Sequence, residues 1–161
     1  MDQSIIFKHR ENVKCVIGPF FLRDTMNGER YHQMLEDSII PQILDMNNNH
    51  VIFMQDGAPP HYANMVRDLL DNTFPGRWIG RRGPYDWPAR SPDLTPCDFF
   101  LWGWAKDQVY QREPQTIDQL EEAIHDVISN VPVEFLRKTV VEEVPRRLQK
   151  LTENGGGYVE I

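Results

Sequence analysis

Val51-Ile52-Phe53-Met54-Gln55-Asp56-Gly57-Ala58-Pro59-Pro60-His61 is the stretch whose reading decides the fold. Four apolar residues run without a break, and Gly57 to Pro60 end them. A short apolar run bounded by turn residues reads as a strand buried on both faces, as in a mostly parallel sheet. Asp56 then lies at the carboxyl end of that strand, the edge of an open α/β sheet where ligands collect. Pro60 suits the first turn of a helix, and Val66, Leu69, Leu70 and Phe74 keep helical spacing up to Pro75-Gly76. The unit is strand, turn, helix.

Ser91-Pro92-Asp93-Leu94-Thr95-Pro96-Cys97-Asp98-Phe99 is the second informative stretch, and 41 residues lie between Asp56 and Asp98. Pro96 and the apolar run after Asp98 place this acid in the first turn or cap of a helix. A carboxylate at a strand end and another at a helix start can converge on a divalent ion. Hard cations such as Mg²⁺ take few carboxylates and leave positions for water and phosphate oxygens. Two such ions about 3.5–4 Å apart serve phosphodiester chemistry. Plainer readings stand beside these: Asp56 as a turn residue, and Asp98 as a helix cap worth about 1 kcal/mol. His61 either hydrogen-bonds near Asp56, orients a water, or is simply packed. Gln55 reads as sheet or loop structure, and Asp93 as a turn residue.

The two motifs, Gln55 to His61 and Ser91 to Phe99, closely resemble those of the catalytic domain of Tc1/mariner transposases, a group with an RNase H-like fold and an acidic triad. The similarity runs from about Gly18 to Val159 and includes Ile17-Gly18-Pro19-Phe20-Phe21 and Asn154-Gly155-Gly156. The resemblance implies that Asp56 is the second triad acid and Asp98 the third, with a longer gap than in the best-known members. It implies Mg²⁺ or Mn²⁺ at both acids, DNA as partner and substrate, and a nuclear location. The family's first acid and its amino-terminal DNA-binding domains have no match in these residues, since Asp2 lies too near the Ile17 segment. The first acid's strand is central in that fold, so unpaired edges and exposed apolar faces are expected without it. A homodimer, or a partner supplying the absent segment, remains open.

One hundred and sixty-one residues with 40% hydrophobic content suit one domain with a real core. We expect residues 1–12 to be a disordered or non-native lead-in, and residues 13–161 to form a partial RNase H-like domain. The charged start MDQSIIFKHREN has no apolar run of signal-peptide or membrane length, so no membrane partner is expected. Cys15 and Cys97 give neither metal spacing nor a disulfide framework, which suits a reducing compartment.

The net charge of −7 argues against nucleic-acid binding by the surface as a whole. The charge is uneven, however. Arg77, Arg81, Arg82 and Arg90 face one acid, Asp86, in their stretch, leaving 13 basic and 23 acidic residues elsewhere from totals of 17 and 24. Arginine suits phosphate, and Trp78, Tyr85 and Trp87 interleave as stacking surfaces. The alternative is that these arginines pair with nearby acids while the aromatics pin a loop over the core.

Elsewhere, residues 13–22 read as a strand interrupted by Gly18-Pro19. A helix starts at Asn27-Gly28-Glu29, with Tyr31, Met34, Leu35, Ile39 and Ile43 on one face and a kink or division at Pro41. Asn47-Asn48-Asn49 is a turn, Trp78-Ile79 a short strand, and residues 86–96 a loop. The Asp98 helix carries Phe99, Trp102, Val109 and Tyr110. Thr116-x-x-Gln119 is a capping box before an apolar face of Ile117, Leu120, Ile124, Val127, Ile128 and Val131. Leu136, Val140, Val144, Leu148 and Leu151 give a last stripe of core cover, interrupted by Pro145 and stopped at Gly155.

The fold class expected is therefore α/β, an incomplete RNase H-like core with carboxyl-terminal helices. The function expected is that of a transposase-derived, metal-dependent DNA endonuclease domain, inactive by itself. The alternatives are a non-enzymatic nucleic-acid or protein binding surface, and a product without a stable fold.

Overall fold

Phe53–Met54 (β1) pairs in parallel with Trp78–Ile79 (β2), Phe53 opposite Trp78 and Met54 opposite Ile79. The ladder continues at both ends, with Phe53 N–H donating to Arg77 O and Gln55 N–H to Ile79 O, each at 3.0 Å. The computed structural model describes residues 16–45, 51–87 and 94–155, Val140 by its backbone alone. They form two units, residues 22–87 in one and residues 16–21 with 94–155 in the other. The expected lead-in, the Asn47 to Asn49 turn, Arg90 and Asp93 lie outside the described residues.

In the first unit a helix opens at Gly28–Met34 (α1), where Asn27 Oδ1 accepts from Arg30 N–H at 2.9 Å. It widens into a π-helical turn at Leu35–Ile39 and continues as Ile40–Asp45 (α2). Proline explains the widening. Pro41 has no N–H for the carbonyl four residues back and its ring crowds that carbonyl. The turn before it relaxes, and Ile40 N–H reaches five residues back to Leu35 O. The expected kink at Pro41 takes this form.

Asn64–Thr73 (α3) crosses from β1 to β2 and buries Val66 and Leu70, and Phe74 after it stacks on Phe53 with ring centres 5.6 Å apart. Pro60 does not begin this helix, as the sequence reading had it. Pro59–Tyr62 form a separate 3₁₀ turn first, and Ala63, at φ −56° and ψ 145°, leaves the helical region before α3 begins. The apolar run is also not buried on both faces. Val51 and Phe53 are buried while Ile52 is 59% exposed, since alternate strand residues point to opposite sides.

Trp78 is fully buried, and the loop after it folds across its ring. Gly83 N–H donates to Gly80 O at 2.9 Å, and Gly80 N–H to Tyr85 O at 3.0 Å. A Cβ on Gly83 would stand 2.6 Å from the Trp78 ring. Glycine is required there by contact, not by dihedral.

In the second unit a π-helical turn at Cys97–Leu101 leads into Trp102–Tyr110 (α4). Ile117–Ser129 (α5) follows, then Val133–Lys138 (α6), a π-helical turn at Thr139–Glu143 and Val144–Glu153 (α7). Pro145 repeats the Pro41 arrangement, with Val144 N–H donating to Thr139 O. The core joins Leu101, Ala105 and Val109 to Ile124, Val127 and Ile128. Half of the expected capping box is present at α5: Thr116 Oγ1 accepts from Gln119 N–H, whereas Gln119 Oε1 accepts from the N–H of Gln115, one residue before the cap. Ile117, at the first position after that cap, and Tyr110 are exposed rather than packed. Leu148 on α7 is exposed too, so that helix covers less core than its stripe implies. Residues 16–22, expected as strand, make no sheet pairing. Gly18 takes φ 109° there, and Pro19 has no N–H for a ladder.

Two glycines separate contact from propensity. Gly83→Ala should lower stability by about 1–3 kcal/mol through overpacking against Trp78. Gly103→Ala, in α4 with nothing within 4 Å of the added methyl, should raise it by about 1 kcal/mol. Urea midpoints check both; no loss at Gly83 would contradict the close approach.

Candidate active site

Asp56 lies one residue beyond β1, after Gln55, and is anchored by one oxygen. Asp56 Oδ1 accepts from Ala58 N–H at 3.0 Å, the turn expected of an aspartate here. The same oxygen faces His61 Nδ1 at 2.5 Å. His61 comes from the Pro59–Tyr62 turn, so the two prolines set the distance that brings it back to Asp56. The Asp56 side chain is 41% exposed and that of His61 only 8%. The hydrogen bond from His61 holds the Asp56 carboxyl below the ordinary aspartate range. Burial pushes it up; the Ala58 N–H and the His61 charge add to the lowering. Of the sequence alternatives for His61, the bond to Asp56 and the packed environment are both present.

Gln55 is buried and belongs to the scaffold, as its position suggests. Tyr31 Oη donates to Gln55 Oε1 at 3.1 Å, and Gln55 Nε2 donates to His61 O at 2.7 Å. Tyr31 also packs against the His61 ring, with centroids 4.3 Å apart. Helix α1, strand β1 and the 3₁₀ turn thus meet at one buried point.

Asp98 lies in the other unit, exposed, in the first turn of Cys97–Leu101. Its N–H donates to Thr95 O at 2.9 Å. Pro96, not Asp98, holds the cap position, and no side chain caps this start. Among the described residues no three His, Cys, Asp or Glu side chains cluster tightly enough to hold a metal. Carboxylate oxygens are hard donors, which suit Mg²⁺ or Mn²⁺ better than a softer ion.

The arginines divide. Arg77 Nη1 donates to Val51 O at 3.3 Å and lies 6.0 Å from the Phe74 ring, so it braces the strand ends. Arg81 and Arg82 are exposed, and both stack on Tyr62, at 4.1 and 5.7 Å from its ring centre. Arg82 takes φ 62°, and its N–H donates to Asp86 Oδ1 at 2.9 Å. The Arg81 stem lies 3.6 Å from where a Cβ on Gly57 would stand, beside Asp56. Trp78 and Trp87 are not stacking surfaces, since both are buried; Tyr85, 60% exposed, remains open. Tyr62, which the sequence reading passed over, carries both guanidinium groups. Its signal was only its place next to His61 in the same turn.

The fold is that of an RNase H-like catalytic domain of the transposase class. The Mos1 transposase paired-end complex with left transposon end superposes with a TM-score of 0.70 at 25% identity, covering 90% of this chain and 41% of that one. The Mos1 transposase catalytic domain, solved with raltegravir and Mg, gives 0.67 at 24% identity, covering 99% of this chain and 74% of that one.

The homologues of the chain are Tc1/mariner transposases. The Tc3 transposase of Caenorhabditis elegans is 29% identical over 141 residues, 86% of this chain and 40% of the relative. The mariner Mos1 transposase of Drosophila mauritiana is 25% identical over 150 residues, 85% of this chain and 39% of the relative. The chain thus spans between 39% and 46% of the lengths of the relatives it matches. No family model matches it. No described helix is long and apolar enough to cross a membrane.

Because folding lowers the Asp56 carboxyl below its unfolded value, its stabilising contribution is present above about pH 4. It is lost as the pH falls through the lower folded value. Wild type should exceed Asp56→Asn in urea midpoint near neutral pH, and the gap should narrow as the pH drops from about 4. A gap constant from about pH 7 to about pH 3 would remove the His61 and Ala58 bonds as its cause.

Proposed function

We propose that the chain forms part of a metal-dependent DNA-processing centre of the DDE type, with Asp56 and Asp98 as metal-holding carboxylates. The observation that carries this reading is the Asp56 carboxylate, fixed through Oδ1 at the carboxyl end of β1 in an RNase H-like fold. Among the described residues all its hydrogen bonds fall on that one oxygen, which leaves Oδ2 for a cation. Bound there, Mg²⁺ or Mn²⁺ would activate a nucleophile and stabilise phosphate oxygens during strand cleavage and transfer. The remaining acid, the first of the triad, comes from outside these residues, from an adjoining segment, a second copy or a partner.

DNA as substrate is supported by the Mos1 paired-end complex with left transposon end among the structural relatives. Arg81 and Arg82 are the phosphate contacts within this chain that the proposal favours. Stacking on Tyr62 holds two guanidinium forks at the surface beside the Asp56 turn. Arg77 contributes through the strand it braces, and Arg90 adds charge to the same stretch. Such a protein works where DNA is, in the nucleus. A purely binding role is the second reading, favoured by the same Arg–Tyr–Arg stack, which would serve DNA whether or not metal is held.

Calorimetric titration of Mn²⁺ into the chain tests the carboxylates, with weak binding expected that is lost in both Asp56→Ala and Asp98→Ala. Binding unchanged by either substitution would end this assignment. With two of the three acids, the chain alone should not nick DNA; nicking in Mn²⁺ that Asp56→Ala abolishes would refute that.

For DNA, Arg81→Ala and Arg82→Ala should each weaken binding across sequences and reduce the salt slope by about 1. If the binding reading is right, affinity survives Asp98→Ala.

A further inference from the structure

Tyr31 and Gln55 are buried polar side chains far apart in sequence, and both act on His61 rather than on Asp56. Tyr31 is fully buried and spends its hydroxyl on Gln55 Oε1. Gln55 spends its amide N–H on the His61 carbonyl, which fixes the backbone of the 3₁₀ turn. The face of the Tyr31 ring lies against the His61 imidazole at an angle of 34°. His61 is therefore held at its backbone by Gln55 and at its ring by Tyr31. Its Nδ1 then stands against Asp56 Oδ1.

A buried polar network of this kind costs stability wherever it is incomplete, so its members are tied to one geometry. Packing alone would be met more simply by apolar side chains. What the network achieves is to fix the orientation of an exposed carboxylate. With Oδ1 committed to Nδ1 and to the Ala58 N–H, rotation about the Asp56 side chain is stopped and Oδ2 is the oxygen left over. Groups behind a metal-holding carboxylate orient it, and their loss weakens metal binding about 10–100-fold.

We propose that Tyr31, Gln55 and His61 form a positioning clamp that presents Asp56 Oδ2 to a divalent cation, with His61 as a positioning residue and not a ligand. This inference rests on the metal-holding role given to Asp56 above. It goes beyond that role by assigning the orientation of the carboxylate to α1 and the 3₁₀ turn, through residues that never touch the cation.

The test is calorimetric titration of Mn²⁺ into the 161-residue chain, with thermal melts on each variant. His61→Asn keeps an N–H close to the place of Nδ1 but loses the ring; His61→Phe keeps the ring on Tyr31 but loses the N–H. The clamp predicts that His61→Asn binds within about threefold of wild type and that His61→Phe binds at least about tenfold more weakly. A role in packing alone predicts the reverse order, and that order would overturn the clamp. Where His61→Phe does not fold, Tyr31→Phe carries the test, since it removes only the hydroxyl: binding about threefold weaker supports the clamp, and unchanged binding overturns it. Asp56→Ala separates the two levels. Binding that survives Asp56→Ala, or a wild type that binds no Mn²⁺, defeats the metal reading and the clamp together. Binding lost in Asp56→Ala but intact in His61→Phe defeats the clamp alone.

Discussion

The Gln55 carboxamide, buried at the end of β1, must satisfy both its oxygen and its nitrogen without water, and the arrangement of the 22–87 unit follows from how it does so. Its oxygen takes the Tyr31 hydroxyl from α1 and its nitrogen takes the His61 carbonyl from the 3₁₀ turn. Its backbone N–H extends the ladder to Ile79. An unpaired buried amide costs about 1–3 kcal/mol per group. Helix, turn and sheet are thereby held to one mutual geometry. The loop beyond β2 closes against the same residue: a Cβ on Gly80 would stand 3.0 Å from Gln55 Cγ. The candidate acid sits one residue further along the chain, so its surroundings are set by the most constrained point of the unit.

The chemistry of the site and the stability of the fold share these residues but ask different things of them. Asp56 is partly exposed and hydrogen-bonded on one side, which suits an acid that must stay ionised and meet a ligand. His61 is buried and has little freedom, which suits a support. The arginines show the same division: Arg77 is spent on the Val51 carbonyl, whereas Arg81 and Arg82 are held outward by Tyr62. A surface cation stacked on an aromatic ring loses less entropy on meeting phosphate than a free one. A local cationic surface is compatible with the acidic whole, because screening confines exposed charge to about 10 Å.

Features governed by local chemistry were legible in the sequence. Asn27 and Thr116 act as caps because their side chains reach N–H groups three residues on, whatever the tertiary context. The turn at Asp56 and the parallel β1–α3–β2 unit are likewise written in short range. What depends on distant partners was not. Ile52 has the composition of a buried residue, and only the packing of the sheet decides that its side is open. Trp78 and Trp87, alternating with arginines, resemble a stacking platform until the glycines that admit the loop over Trp78 are seen to bury it. Tyr62 has no pattern of its own; its role comes from a loop 20 residues later.

The π-helical turns were missed for a reason that the sequence does contain. An α-helix advances about 100° per residue, so side chains four apart drift by about 40° at each step, and a straight helix alternates threes and fours to stay on one face. The seam Cys97, Leu101, Ala105, Val109 uses only fours and drifts by about 120° over its length. One inserted residue, worth about 100° in the opposite sense, removes most of that drift. The insertion falls at Cys97–Leu101. Leu35, Ile39, Ile43 and Leu136, Val140, Val144 are also spaced by fours in the sequence, and each run contains a π-helical turn, there placed just before Pro41 and Pro145. No proline follows the Cys97 turn at that offset, so the seam alone accounts for it. Its consequence falls on Asp98, which is carried by the widened turn and not by α4. The packing that keeps Leu101, Ala105 and Val109 buried together is thus what sets the direction in which that acid leaves the helix.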